Sequence, residues 1–190
     1  MAHPYMFMKY ISILRGINVS GQKKIKMADL RSFYENQGLG EVRTYIQSGN
    51  VLFVSETRSK EEIKRIIEEA IKENYGFHVP VDIRTEGEYK KIIEDCPFKE
   101  AQFDRNNTKV LISFLSGEPP QNKVDQLESK ANPPEKLKVG SRVVYLYCPN
   151  GYGKSKLSNS YIESGLGLVS TTRNWKTVLK LLELSQLNDA

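Results

Sequence analysis

Thr44-Tyr45-Ile46-Gln47-Ser48-Gly49-Asn50-Val51-Leu52-Phe53 decides how this chain is read. Apolar runs flank Gln47-Ser48-Gly49-Asn50, and Gly and Asn accept the positive φ that tight turns need. The stretch therefore reads as two antiparallel strands joined by a turn. Upstream, residues 10–14 are short, apolar and partly β-branched, a buried strand. Between that strand and the hairpin, Met27, Leu30, Phe33 and Tyr34 recur at helical spacing and stop at Gly38, a C′ glycine. Downstream, Ser59 with Glu62 makes a capping box, and Ile63, Ile66, Ile67, Ala70 and Ile71 form one apolar stripe ending near Gly76. Residues 79–83 read as a strand, and Thr85 with Glu88 caps a further helix carrying Tyr89, Ile92 and Ile93.

The order is β-α-β-β-α-β plus a helix, the ferredoxin-like pattern of an antiparallel sheet with helices on one face. A polar stretch, 99–107, reads as a linker, after which the order recurs. Residues 110–114 form a strand and Pro119-Pro120 opens a helix with Val124 and Leu127. Residues 137–139 and 143–147 form a strand pair, and a helix over 157–164 ends at Gly165. A strand over 168–171 then leads into a last helix carrying Trp175, Val178, Leu179 and Leu182. The expectation is an α+β protein of two ferredoxin-like halves, 8–98 and 108–187, produced by internal duplication. Trp175 is expected to fill the core between the halves.

Composition narrows the function classes. The 190 residues are 39% apolar and 27% charged, which argues against disorder, and no apolar run reaches the ~20 residues of a bilayer span. Met8 is a candidate start that would make residues 1–7 a dispensable tail too short for a secretory signal. Cys96 and Cys148 are isolated, as expected of reduced thiols in a cytoplasmic protein. His3 and His78 are the only histidines, so neither a histidine-based metal site nor a Ser-His-Asp triad is expected. No cofactor is implied. Net charge is +5, and it is segregated. Residues 1–28 hold Lys9, Arg15, Lys23, Lys24 and Lys26 without an acid; residues 136–162 hold Lys136, Lys138, Arg142, Lys154 and Lys156, again without one. Such segregation favours anionic partners, unless acids from elsewhere in the fold neutralise it.

Three stretches are candidate sites. In a ferredoxin-like unit the first two strands run the same way. The end of the first strand and the hairpin turn therefore share a sheet edge. That places Arg15, Gly16, Asn18, Ser20 and Lys23 beside Gln47, Ser48 and Asn50, near the start of the first helix, an anion site in outline. The second is Gly151-Tyr152-Gly153-Lys154-Ser155, following a strand and preceding a helix, the context of a P-loop. Cys148 stands where that motif's first glycine belongs, so the stretch is expected to be either a phosphate-contacting loop without hydrolysis or a plain glycine turn whose Lys154 is solvated. The third is Thr172-Arg173-Asn174-Trp175, with Thr172 as cap of the last helix and Arg173 and Asn174 in its first turn. Tyr145, Tyr147, Tyr152 and Tyr161 interleave with basic residues, as in a stacking surface or in plain strand packing.

Ile13-Leu14-Arg15-Gly16-Ile17-Asn18-Val19, Thr44-Tyr45-Ile46-Gln47-Ser48-Gly49-Asn50-Val51 and Thr172-Arg173-Asn174-Trp175-Lys176-Thr177 resemble, in order, the bacterial "domain of unknown function 1697" family. The loop Pro149-Asn150-Gly151-Tyr152-Gly153-Lys154-Ser155-Lys156-Leu157 resembles that family's glycine-containing segment, while Ser20-Gly21 stands where a glycine pair is expected. The resemblance implies two ferredoxin-like halves and supplies no activity, ligand or catalytic residue. Three functions follow as expectations. The first is binding of a phosphate-bearing ligand, nucleic acid or nucleotide, through the basic loops. The second is an enzyme on a small anionic substrate, with Arg15 and Lys154 as clamps and Ser48 or Ser155 as nucleophile, for which no base is evident. The third is a protein–protein adaptor in which the motif residues hold the halves together.

Overall fold

The computed structural model describes residues 7–56, 58–98 and 104–187. Residues 1–6, including His3 and most of the expected tail, lie outside them, as do residues 99–103 of the expected linker. The described chain forms two compact units, one from Met1–Lys90 with Leu181–Ala190 and one from Lys91–Lys180.

In the first unit the elements run β1 (Met8–Leu14), α1 (Met27–Asn36), β2 (Gly40–Tyr45), β3 (Asn50–Ser55), α2 (Lys60–Tyr75) and β4 (Val81–Thr85), leading into α3 (Glu86–Glu94). The sheet order is β2-β3-β1-β4, and every neighbouring pair is antiparallel. This is the ferredoxin-like order. Tyr10, Leu14, Val51, Phe53, Val81 and Ile83, alternate residues of three strands, face the core shared with the helices. The stripe on α2 buries Ile63, Ile67 and Ile71, each worth roughly 1.5–3 kcal/mol in transfer free energy. Its ends are set locally: Ser59 Oγ accepts from the Glu62 N–H, and Gly76 closes the helix in the left-handed region. At α3 the capping box is reciprocal, with Thr85 N–H donating to Glu88 and the Glu88 N–H to Thr85 Oγ1.

The second unit repeats the order with β5 (Val110–Leu115), α4 (Gln121–Glu128), β6 (Lys136–Gly140), β7 (Val143–Tyr147), α5 (Asn159–Leu166), β8 (Ser170–Asn174) and then α6 (Trp175–Gln186). Its sheet order, β6-β7-β5-β8, is that of the first unit. The likeness extends to side chains. Glu68 of α2 accepts the first N–H of β4, from Val81, and Glu163 of α5 accepts the first N–H of β8, from Ser170. Ser12 and Ser113, fully buried in the first strand of each unit, lie opposite Ile83 and Thr172.

Three sequence expectations need correction. The helix expected over 157–164 lies at Asn159–Leu166 and closes on Gly167, not Gly165. Gly165 lies inside it, and a Cβ there would stand 2.8 Å from Leu127 Cδ1, so a glycine at this position lets α5 approach α4 closely. The strand expected over 168–171 is Ser170–Asn174, which puts Arg173 and Asn174 in the β5 ladder rather than in a helical turn. Thr172 pairs with Ser113 in that ladder, and Asn174 Oδ1 accepts the Thr177 N–H in its place as the cap of α6. Trp175 is buried.

Candidate functional site

The first loop and the hairpin turn do lie side by side at one edge of the first sheet. Ile13 pairs with Asn50, and the Leu14 N–H donates to Gly49 O at 2.8 Å, so β1 ends against the turn. Gly49 takes φ +80°, and a Cβ there would fall 2.6 Å from Ile17 Cδ1, which makes glycine obligatory. Asn18, itself at φ +55°, joins the two segments. Its Nδ2 donates to Ile25 O and to Gln47 O, both at 2.9 Å, and its Oδ1 accepts the Ile25 N–H at 2.9 Å. Asn50 is fully buried and donates to Tyr45 O and Ser48 Oγ, tying off the turn from beneath. Lys23 Nζ donates to His78 O at 2.8 Å. Arg15 is half-buried, and its N–H donates to Pro80 O. Gly16, at φ +68°, and the Gln47 side chain are exposed, and Ser48 is half-buried. Asn18, Lys23 and Asn50 therefore build this edge by holding backbone.

The second unit contains an open cleft of about 840 Å³. One wall is the α4–β6 connection with Lys130, Asn132, Pro133, Pro134 and Glu135; the other is the β7–α5 connection with Asn150, Lys154, Lys156 and Leu157, joined by Tyr161. Lys130, Lys154 and Lys156 are exposed, and their ammonium groups have no hydrogen bond or ion pair among the described residues. Glu135 is the one carboxylate in the lining, while nearby Glu128 holds Lys138 Nζ at 3.0 Å and the Val139 N–H at 2.8 Å. Tyr161 sits in the first turn of α5, its N–H on the Ser158 cap, and its ring packs against the core that holds Leu157 and Ile162.

The P-loop context does not hold. Lys154 ends a single 3-10 turn, Tyr152–Lys154, and Ser155 Oγ accepts the Leu157 N–H at 2.9 Å instead of standing at a helix start. Ser158, three residues later, begins α5. The turn is tied inward through its tyrosine: Tyr152 OH donates to Thr172 Oγ1, which in turn donates to Asn159 Oδ1 at 2.6 Å.

Lys154 thus lines the cleft, Ser155 shapes the loop behind it, Asn174 caps α6, and Arg173 Nη1 donates to Thr172 O. Tyr145 and Tyr147 serve packing. Tyr145 is buried and donates to Ile92 O at 2.9 Å, burial pushing its phenol well above the usual range. Tyr147 lies against Phe98 and under Lys136 Nζ. Sequence reasoning missed Lys130, Asn132 and Glu135, which come from another connection about twenty residues upstream and carry no motif. Lys156 and Asn150 were legible only as part of an acid-free stretch and of the glycine loop. No group of three or more His, Cys, Asp or Glu suited to a metal occurs among the described residues. No described helix is long and apolar enough to cross a membrane.

The solved structure of the conserved bacterial protein SP0830 from Streptococcus pneumoniae is similar to this chain, with a TM-score of 0.76 at 24% identity over 95% of this chain and 100% of that one. The likeness is one of fold. No curated protein matches the chain. The family described as "Protein of unknown function (DUF1697)" matches residues 8–145, from the start of β1 to the middle of β7. That span takes in the Arg15–Asn18 loop, the Gln47–Asn50 turn and the Lys130–Glu135 wall, and stops before Lys154 and the Thr172–Thr177 motif. With most of its length so matched, this chain is a member of the DUF1697 family.

Proposed function

We propose that this protein binds a phosphate-bearing ligand, a nucleotide or a nucleic acid strand, in the cleft of the second unit. One observation carries the reading: Lys130, Lys154 and Lys156 line a single cleft with no partner among the described residues, against one carboxylate, Glu135. Exposed lysines of one sign, gathered from two connections, raise the local potential and favour an anion. With one carboxylate and no histidine in the lining, the reading is of binding rather than turnover. At the edge of the first unit the same reading keeps Arg15, Gly16, Gln47 and Ser48 as a second polar surface, and assigns Asn18, Lys23 and Asn50 to its construction. The two free, buried thiols support a cytoplasmic location.

Fluorescence anisotropy with a dye-labelled single-stranded oligonucleotide and a dye-labelled nucleoside triphosphate tests this. Three phosphate contacts on a single strand give a slope of about −2 in log affinity against log salt, roughly a 15- to 20-fold loss between 50 and 200 mM. Lys154→Ala with Lys156→Ala should flatten that slope to about −0.7. Absence of binding by both probes at 50 mM salt, or affinity unaffected by the double substitution, overturns the proposal.

A further inference from the structure

Resting on that reading of the cleft, we infer that its occupant is a mononucleotide carrying at least two phosphates, with the base on Tyr161 and the phosphates on the lysines. Beyond its cations, the cleft presents groups that an inorganic anion would leave unused. Tyr161 is half-buried, its ring backed by the hydrophobic core and its backbone anchored in the first turn of α5 by the Ser158 cap. A preorganised aromatic face suits a flat base, which loses little on stacking. The Asn132 and Asn150 carboxamides also line the cleft, and neither has a side-chain hydrogen bond among the described residues. A carboxamide offers a donor and an acceptor together, the pairing that a base edge presents and a phosphate does not.

Charge and platform count favour a single nucleotide over a strand. Three ammonium groups and one carboxylate leave the lining with a net charge of +2. That complements a polyphosphate better than a single phosphate group. Proteins that track single strands stack successive bases on several aromatics along a basic groove. Here Tyr161 is the one aromatic in the lining. Tyr145 and Tyr147 are taken up in packing, and Tyr152 turns inward to Thr172. The volume, about 840 Å³, lies within the range of small-molecule sites.

Calorimetric titration of the full chain with a nucleoside diphosphate, inorganic pyrophosphate and a single-stranded oligonucleotide separates this inference from the reading beneath it. The nucleoside diphosphate should bind at least tenfold more tightly than pyrophosphate. Tyr161→Ala should weaken the nucleotide roughly 5- to 150-fold and leave pyrophosphate unchanged, whereas Tyr161→Phe keeps nucleotide affinity. Because Tyr161 also packs on the core, exposed Asn150→Ala provides a second variant, expected to weaken the nucleotide but not pyrophosphate. Equal affinities for nucleotide and pyrophosphate, both lost in the Lys154→Ala, Lys156→Ala variant, overturn the base platform and leave the anion site standing. An oligonucleotide that outcompetes the nucleotide overturns the assignment to a mononucleotide. Failure of all three ligands to bind overturns the cleft reading itself.

Discussion

Asn18→Ala should cost the first unit about 3 kcal/mol, from two separable sources. The side chain makes three hydrogen bonds of 2.9 Å that clamp the β1–α1 loop to the β2–β3 turn, two of them partly buried and one exposed. At a net ~0.5–1 kcal/mol each, their loss is worth about 2 kcal/mol. Asn18 also stands at φ +55°, where alanine meets a steric penalty of about 1 kcal/mol that asparagine largely escapes. In urea, followed by far-UV circular dichroism, the sum moves the midpoint by about 1.5 M for a slope of ~2 kcal/mol per molar. Asn18→Gly removes the bonds but not the backbone freedom and should fall about 1 kcal/mol short of the alanine variant. Asn18→Asp keeps the acceptor for the Ile25 N–H while turning a carboxylate on two carbonyl oxygens, so it should be no better than alanine. Amide exchange provides a local check: loss of about 3 kcal/mol exposes the Ile25 amide by more than roughly 100-fold. An alanine variant within ~0.5 kcal/mol of the native protein, with the Ile25 amide still protected, would refute the claim that this side chain joins the two segments.

Glycine substitutions at two positions of the same edge should differ sharply. Gly49→Ala combines φ +80° with a Cβ forced onto Ile17 and Leu14 and should cost about 3 kcal/mol or more, whereas Gly16→Ala, with nothing within 4 Å of its Cβ, should cost only ~1 kcal/mol; equal urea midpoints for the two would contradict the packing. Glu88 gives a pH dependence of definite sign. Burial raises its carboxyl, but the Lys60 ammonium and the Thr85 N–H and hydroxyl outweigh that and hold it below the usual range. The folded form then binds the proton more weakly than the unfolded one, so the contribution is complete above the ordinary value of 4.5 and is lost as pH falls through the folded value. Glu88→Gln should reduce the drop in melting temperature between pH 6 and pH 3.5, and an undiminished drop would show that this carboxylate does not carry it.

What the sequence alone determined is what short-range rules govern. The Gln47–Asn50 turn, the Ser59 and Thr85 caps, the Gly76 stop and the α2 stripe each depend on residues within a few positions of one another, where φ preference, capping and periodicity act directly. Their order then left the ferredoxin-like sheet as the arrangement that buries both strand faces and helix stripes. The adjacency of the Arg15 loop and the Ser48 turn followed from that order. Tertiary structure decided what each polar side chain does. Nothing local distinguishes an asparagine that grips a ligand from Asn18, whose partners lie 7 and 29 residues away, or a lysine in a phosphate loop from Lys23, bonded 55 residues off. Thr172 reads as a helix cap until the β5 ladder takes it and leaves the role to Asn174. The cleft is the extreme case. The connection before β6 and the one after β7 meet because those strands pair antiparallel with Lys136 opposite Tyr147, but which side chains of the two connections line the space between them, Lys130 and Lys154 among them, is decided by packing that no local pattern encodes.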